Sequence, residues 1–129
     1  MHRLLFIIAV VAACDPGVRA EFRLRTSGPS SDSVLVQATA ISRSRGTRYG
    51  LMVFAPATDV CQQLSATGSD QVRGQSVMLR LCIDYIDSSQ VRIMVLEAFT
   101  KEWGPRGDSL RHELGDTLSK VFGSALSVR

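Results

Sequence analysis

The sequence predicts an α+β fold in which helices pack on one face of an antiparallel β-sheet. Two observations lead to this prediction. Two long runs of alternating apolar and polar residues follow one another, and a segment with a single apolar stripe comes after them. Alternation is the pattern of a strand with one buried face, and a helix with one apolar stripe needs a covering layer. A sheet with helices on one face satisfies both requirements.

The two alternating runs predict a long antiparallel hairpin over residues of about 76–102. The first arm alternates through Val77, Leu79, Leu81, Ile83 and Tyr85, and the second through Val91, Ile93, Val95, Glu97 and Phe99. A polar turn at residues 87–90 joins the arms. Met94 and Leu96 lie on the other face of the second arm, so we expect both faces of this strand to be partly covered.

The segments at the start of the domain give weaker signals. Residues 21–26 alternate and predict a strand, and residues 49–55 predict a short apolar strand. Residues 34–45 are ambiguous, because their β-branched side chains favour a strand. The spacing of their apolar residues, and Gly46 directly after them, favour a helix instead. We expect a helix there.

Residues 58–75, between this short strand and the hairpin, are predicted to form a helix and a loop. Thr58 or Asp59 can cap a short helix that carries Leu64 and ends at Gly68. The polar residues 69–75 then predict a loop before the first arm of the hairpin.

An amphipathic helix is predicted to close the chain over residues of about 108–122. Asp108 is a plausible N-cap, and Gly123 is a plausible stop. Its apolar stripe consists of Leu110, Leu114, Leu118 and Val121. Because its polar face mixes both charges, we expect the stripe to pack on the sheet and not on a membrane.

The first residues have the features of an export signal. Arg3 precedes an apolar run over residues 4–13, which is about half the length needed to cross a bilayer. The run ends in Val11-Ala12-Ala13-Cys14, which resembles the lipobox of bacterial lipoproteins. The resemblance covers only this segment. It implies cleavage before Cys14 and acylation of that cysteine, for example with palmitate.

This resemblance implies a protein of the bacterial cell envelope that is lipid-anchored and exposed to the periplasm. Residues 1–13 are then the signal peptide, 14–20 a lipidated tether and 21–129 a single domain. Whether the inner or the outer membrane holds it stays open. The alternative is a soluble secreted protein, cleaved after Ala20 behind Val18-Arg19-Ala20.

Export also bears on the two remaining cysteines, Cys61 and Cys82. In an oxidising compartment, an even pair of this kind predicts a disulfide. Closing a loop of about twenty residues stabilises a fold by roughly 3 kcal/mol in the chain-entropy model. The alternative is two buried free thiols.

We find no motif that predicts a reaction centre, a cofactor or a metal site. After processing, His112 is the single histidine, whereas a metal site needs several converging ligands. No nucleophile elbow and no phosphate-binding loop occurs.

The net charge of +3 falls to about +2 without Arg3, and this charge is too small to indicate nucleic-acid binding. The carboxylates Asp84, Glu97 and Glu102 belong to the hairpin region, where pairing with Arg80 and Arg92 is the simplest role.

These observations predict a non-enzymatic lipoprotein that binds or braces another envelope protein. Trp103, Arg106 and Tyr85 are a possible interaction surface, because such side chains are enriched in interface hot spots. Alternatively, Trp103 plugs the gap between the sheet and the closing helix.

A second hypothesis is a carrier of a small apolar or lipidic ligand. In that case Met78, Met94 or Leu96 would line a cavity between sheet and helices. A third hypothesis, an envelope hydrolase, requires converging carboxylates or a serine–histidine pair.

Overall fold

Six antiparallel strands form one sheet in the described part of the chain, and two helices lie on it. The structure is a computed structural model that describes residues 17–26, 31–54, 64–87 and 89–129. The strands are β1 (Gly17–Arg25), β2 (Met52–Phe54), β3 (Leu64–Val72), β4 (Gln75–Asp87), β5 (Gln90–Ala98) and β6 (Leu126–Val128). The helices are α1 (Ser31–Arg48) and α2 (Pro105–Phe122), and a short 3₁₀ turn, Gly123–Ala125, precedes β6. The predicted α+β class with an antiparallel sheet is confirmed.

The strand order is β2-β3-β4-β5-β1-β6, so the first strand of the chain lies inside the sheet. β1 pairs along its whole length with β5, from Gly17 opposite Ala98 to Arg25 opposite Gln90. β1 begins four residues before Glu21, where the sequence predicted the domain to start. Residues 17–20, which the sequence analysis assigned to the tether, therefore belong to the sheet.

The core lies between the helices and one face of the sheet. Alternate residues of four strands face it, as expected for a sheet covered on one side. Its large buried side chains, none more than 3 % exposed, are Phe22, Leu24, Leu64, Leu79, Leu81, Ile83, Val91, Ile93, Val95, Leu110, Leu114 and Leu118. A second, smaller cluster of Cys82, Met94 and Leu96 lies on the opposite face.

The ambiguous segment 34–45 is helical and belongs to α1. The helix does not end at Gly46 but continues to Arg48. Gly46 is buried against the sheet, where a Cβ would lie only 3.4 Å from the Leu81 side chain. Its small size thus serves close packing within the helix, and the chain turns later, at Gly50 with φ of 79°.

The prediction for residues 58–75 is wrong where the structure describes it. β3 runs from Leu64 to Val72, and each of its nine residues pairs with β4. Residues 64–68, the described part of the predicted helix, are therefore strand. Most of the predicted loop at residues 69–75 is strand as well. The strand signal is weak because small and polar residues dominate β3. The start of that predicted helix, at Thr58 or Asp59, lies outside the described residues.

The end of β5 and the start of α2 also differ from the prediction. β5 ends at Ala98 and not near residue 102, because Phe99 turns the chain with a positive φ of 59°. α2 begins at Pro105, and Gly104 instead of Asp108 is its N-cap. Within the predicted apolar stripe of α2, Val121 is 50 % exposed, whereas the three leucines are fully buried.

In the part of the chain that the structure describes, neither helix is long and apolar enough to span a membrane.

Leu114 is fully buried between α2 and the sheet, so Leu114→Ala should leave a cavity. We expect it to lower the free energy of unfolding by about 2–5 kcal/mol, measured by urea denaturation. Val121→Ala on the same helix is the matched control and should cost less than about 0.5 kcal/mol. Equal losses in the two variants would contradict the packing described above.

Candidate functional site

Two buried carboxyl groups meet beneath the start of α2. Asp70 on β3 is 3 % exposed and Glu97 on β5 is fully buried. Their strands lie on either side of β4, and both side chains point to the face that the helices cover. The two carboxyl groups are hydrogen-bonded to each other. We call Asp70 and Glu97 the acid pair.

The acid pair binds the backbone at the start of α2. The Gly107 N–H donates to Oδ2 of Asp70 (2.8 Å), and the Gln71 N–H donates to Oδ1 of Asp70 (2.8 Å). The Gly104 N–H donates to both oxygens of Glu97, at 3.2 and 3.1 Å. The first N–H groups of a helix have no partner within it, and the N-cap Gly104 has no side chain to supply one. Asp70 therefore caps α2 from a neighbouring strand.

The two glycines of the segment 104–107 are required by this arrangement. A Cβ on Gly107 would collide with Oε1 of Glu97, and a Cβ on Gly104 would collide with Oδ2 of Asp70. Both obstacles are buried carboxyl groups that already have partners, so they have little room to move. Asp70 lies within residues 69–75, for which the sequence predicted a loop.

Burial and the hydrogen bonds of the pair give the two acids different pKa values. Burial, followed by the hydrogen bond and the charge of Asp70, raises the pKa of Glu97 from 4.5 to about 7. Burial alone would also raise the pKa of Asp70. The hydrogen bond from Glu97 and the amides of Gly107 and Gln71 outweigh burial and lower that pKa below its ordinary value of 3.8. Below about pH 7 the pair therefore holds one proton, on Glu97, and one negative charge, on Asp70, next to the positive end of the α2 dipole.

The carboxylates considered for a hydrolase do not converge. Asp84 is paired with Arg92 of the adjacent strand at 2.9 Å, as the sequence predicted for a cross-strand pair. Glu102 forms an ion pair with Arg73 in the turn between β3 and β4. Glu97 instead pairs with Asp70, and neither member of that pair is more than 3 % exposed.

The structure brings together two of the three residues predicted as an interaction surface. Trp103 is half-buried against the core, and the Arg111 guanidinium lies 4.9 Å from its ring centroid. Arg106 is exposed at the start of α2 and donates to the carbonyl of Ser69 (3.3 Å). Tyr85 pairs with Val91 near the opposite end of the hairpin, so it does not share a surface with them.

The single histidine of the domain lies on the solvent side of α2. The His112 side chain is 64 % exposed, and its Nδ1 lies 2.8 Å from the carbonyl oxygen of Asp108. Asp108 itself is paired with Arg111 at 2.6 Å. Among the described residues, no three His, Cys, Asp or Glu side chains are grouped so as to hold a metal ion.

The residues expected to line a cavity between the sheet and the helices do not lie between them. Met94 and Leu96 belong to the cluster opposite the helices, and Met78 is 39 % exposed. Cys82 is 1 % exposed within that same cluster. Cys14 and Cys61, the other two predicted site cysteines, lie outside the described residues.

The acid pair predicts an unusual pH dependence of stability. Because the pKa of Glu97 is about 7 in the folded protein against 4.5 ordinarily, its protonated form is favoured by folding. That contribution is complete below about pH 4.5 and is lost as the pH rises through about 7. We expect the free energy of unfolding to fall by on the order of 2 kcal/mol across this window.

Glu97→Gln is the matched control, because its amide can still donate to Asp70 and its carbonyl can still accept from Gly104. The variant should show a much flatter profile over the same window in urea titrations at several pH values. An unchanged slope in Glu97→Gln would show that another group causes the dependence. Asp70 acts in the opposite direction, and its contribution should disappear only as the pH falls below its lowered pKa.

No protein-family model and no curated protein sequence matches this chain. Its function is therefore inferred from its own residues and from the geometry around the start of α2.

Proposed function

We propose that the chain is a bacterial envelope lipoprotein, anchored through acylated Cys14, whose α+β domain binds or braces another envelope protein without catalysing a reaction. The observation that carries the proposal is the segment Val11-Ala12-Ala13-Cys14 at the end of the apolar leader. A cysteine in that setting is the acceptor in the lipoproteins that the segment resembles. The periplasmic side of either membrane satisfies the proposal.

The extent of β1 supports cleavage before Cys14 over cleavage after Ala20. The second cleavage would remove residues 17–20, which pair with residues 95–98 of β5. Ala20 is also 8 % exposed and belongs to the core cluster. Cleavage before Cys14 leaves this strand whole, whereas the alternative would remove four of its nine residues.

Trp103 and Arg106 are the proposed contact for a protein partner. Tryptophan and arginine dominate interface hot spots, because each offers a large contact area with polar groups at its edge. The acid pair fixes the backbone of residues 104–107, which contains Arg106 and directly follows Trp103, and this reduces the entropy that binding would cost. This pre-ordering supports a recognition surface at the start of α2.

The anchor is tested with Cys14→Ser. Wild type should incorporate radiolabelled palmitate and sediment with the membranes, whereas the variant should do neither, because its acyl acceptor is missing. In-cell crosslinking, purification and mass spectrometry of both forms then test the adaptor role. We expect a protein partner that is recovered with the anchored form.

Two comparisons make this experiment decisive. Cys61→Ser removes a thiol elsewhere and should leave palmitate labelling intact. Trp103→Ala should lose the crosslinked partner but remain in the membrane fraction. Palmitate on the Cys14→Ser protein would refute the anchor. Absence of any protein partner from both forms would refute the adaptor role and leave a bound lipid or small molecule as the next hypothesis.

We also propose that Cys61 and Cys82 form a structural disulfide. Cys82 is buried on β4, opposite Ser65 of β3. β3 begins at Leu64, only three residues after Cys61 in the sequence. The bond would therefore fasten the segment before β3 to the centre of the sheet.

Thiol titration tests this disulfide. Cys14→Ser, unfolded in denaturant without reductant, should present no free thiol, and two after reduction. Reduction should also lower the free energy of unfolding by roughly 3 kcal/mol, as the chain-entropy model gives for a loop of this size. Two free thiols before reduction in protein purified from the envelope would contradict the proposal.

A further inference from the structure

Phe99 is an exposed aromatic residue on a strained backbone. It follows β5 directly, its side chain is 82 % exposed, and its φ is 59°. A bulky residue is rare in this left-handed region, which is disfavoured for side chains with a Cβ. Such strain is concentrated at functional sites. Glycine or asparagine would fit this backbone better, and the exposed ring contributes little to the core. The presence of phenylalanine at position 99 therefore needs another explanation.

The chain enters the domain beside Phe99. Gly17, the first residue of β1, has a φ of 117°, and a Cβ there would lie 2.9 Å from the Phe99 nitrogen. Cys14 is only three residues earlier, so even a fully extended chain separates their Cα atoms by about 11 Å at most. The headgroup region on each side of a bilayer is roughly 5–7 Å thick. A lipid on Cys14 therefore holds this end of the sheet at the membrane surface.

The same end of the sheet carries cationic side chains around an apolar floor. A shallow cavity of about 440 Å³ lies between Phe99 and the turn that joins β3 to β4. Val72 and Val77 contribute apolar surface to it, and Arg73 and Lys101 are at its rim. Arg73 is paired with Glu102, so Lys101 gives the rim its net positive charge. We call Arg73, Phe99 and Lys101 the Phe99 tip.

From these three observations we propose that the Phe99 tip docks on an anionic phospholipid bilayer. The Phe99 ring inserts at the boundary between headgroups and acyl chains, where Trp, Phe and Leu side chains of interfacial segments are buried. Lys101 faces the lipid phosphates, to which basic side chains near a membrane are attracted. This inference rests on the proposed anchor at Cys14. It adds that the domain does not tumble freely at the end of its tether but has one fixed orientation, with α2 starting close to the membrane.

Tryptophan fluorescence in vesicles tests the orientation. Full-length acylated Phe99→Trp is reconstituted into equimolar phosphatidylcholine and phosphatidylglycerol with brominated acyl chains. The matched control is Ile86→Trp, at the opposite end of the β4–β5 hairpin, roughly 30 Å away along the strands. Both positions are exposed, so neither change disturbs the core. Trp103, the only native tryptophan, is retained, and wild type supplies its baseline.

We expect the added tryptophan at position 99 to be blue-shifted and to lose most of its emission to the brominated lipid. The tryptophan at position 86 should keep its emission. Phe99→Trp/Lys101→Glu should reduce the quenching, since it reverses the charge at the rim.

Flotation of the same vesicles separates the two proposals. Protein that floats but shows equal quenching at positions 86 and 99 overturns the docking and leaves the anchor standing. Wild-type protein that carries no lipid and does not float overturns the anchor, and the docking falls with it.

Discussion

The contact between the buried carboxyl groups of Asp70 and Glu97 is the interaction that fixes the start of α2 on the sheet. It joins two strands that are separated by β4, and both carboxyl groups bind backbone amides at the start of α2. Burial of two such groups is costly unless every oxygen has a partner. Here a neutral acid and a carboxylate satisfy each other and the N–H groups that a helix leaves unpaired. The position of α2 on the sheet is therefore fixed by polar contacts as well as by its leucines.

The same interaction explains the residues around it. Only glycine fits at positions 104 and 107, because a Cβ at either would occupy the space of a carboxyl group. The acid pair consequently holds the backbone of residues 104–107, which carries the exposed Arg106 and directly follows Trp103, whose ring lies beside Arg111 of α2. Because the acid pair holds this segment in place, the surface formed by Trp103 and Arg106 is pre-ordered. Pre-ordering lowers the entropy that a partner's binding would cost.

The placement of β1 connects the fold to the proposed location. β1 is the first strand of the chain but lies between β5 and β6, so its first residue meets the last residue of β5. That pairing brings the start of the domain next to Phe99, on the end of the sheet that also carries the start of α2. A lipid on Cys14 would therefore determine which end of the molecule approaches the bilayer, and the proposed protein contact would lie near the membrane as well.

Features that depend on local periodicity could be predicted from the sequence: the α+β class with its antiparallel sheet, the alternating strands around the turn at residues 87–90, and the leucine stripe of α2. The acylation of Cys14 was also inferred from consecutive residues, and it stays a prediction. It failed on β3, whose small and polar residues carry little alternation of their own and become a strand by pairing with β4. The contact of Asp70 with Glu97 and the separation of Tyr85 from Trp103 could not be predicted in this way. Such contacts join residues distant in sequence, and their partners are set by strand order and register, which no local pattern encodes.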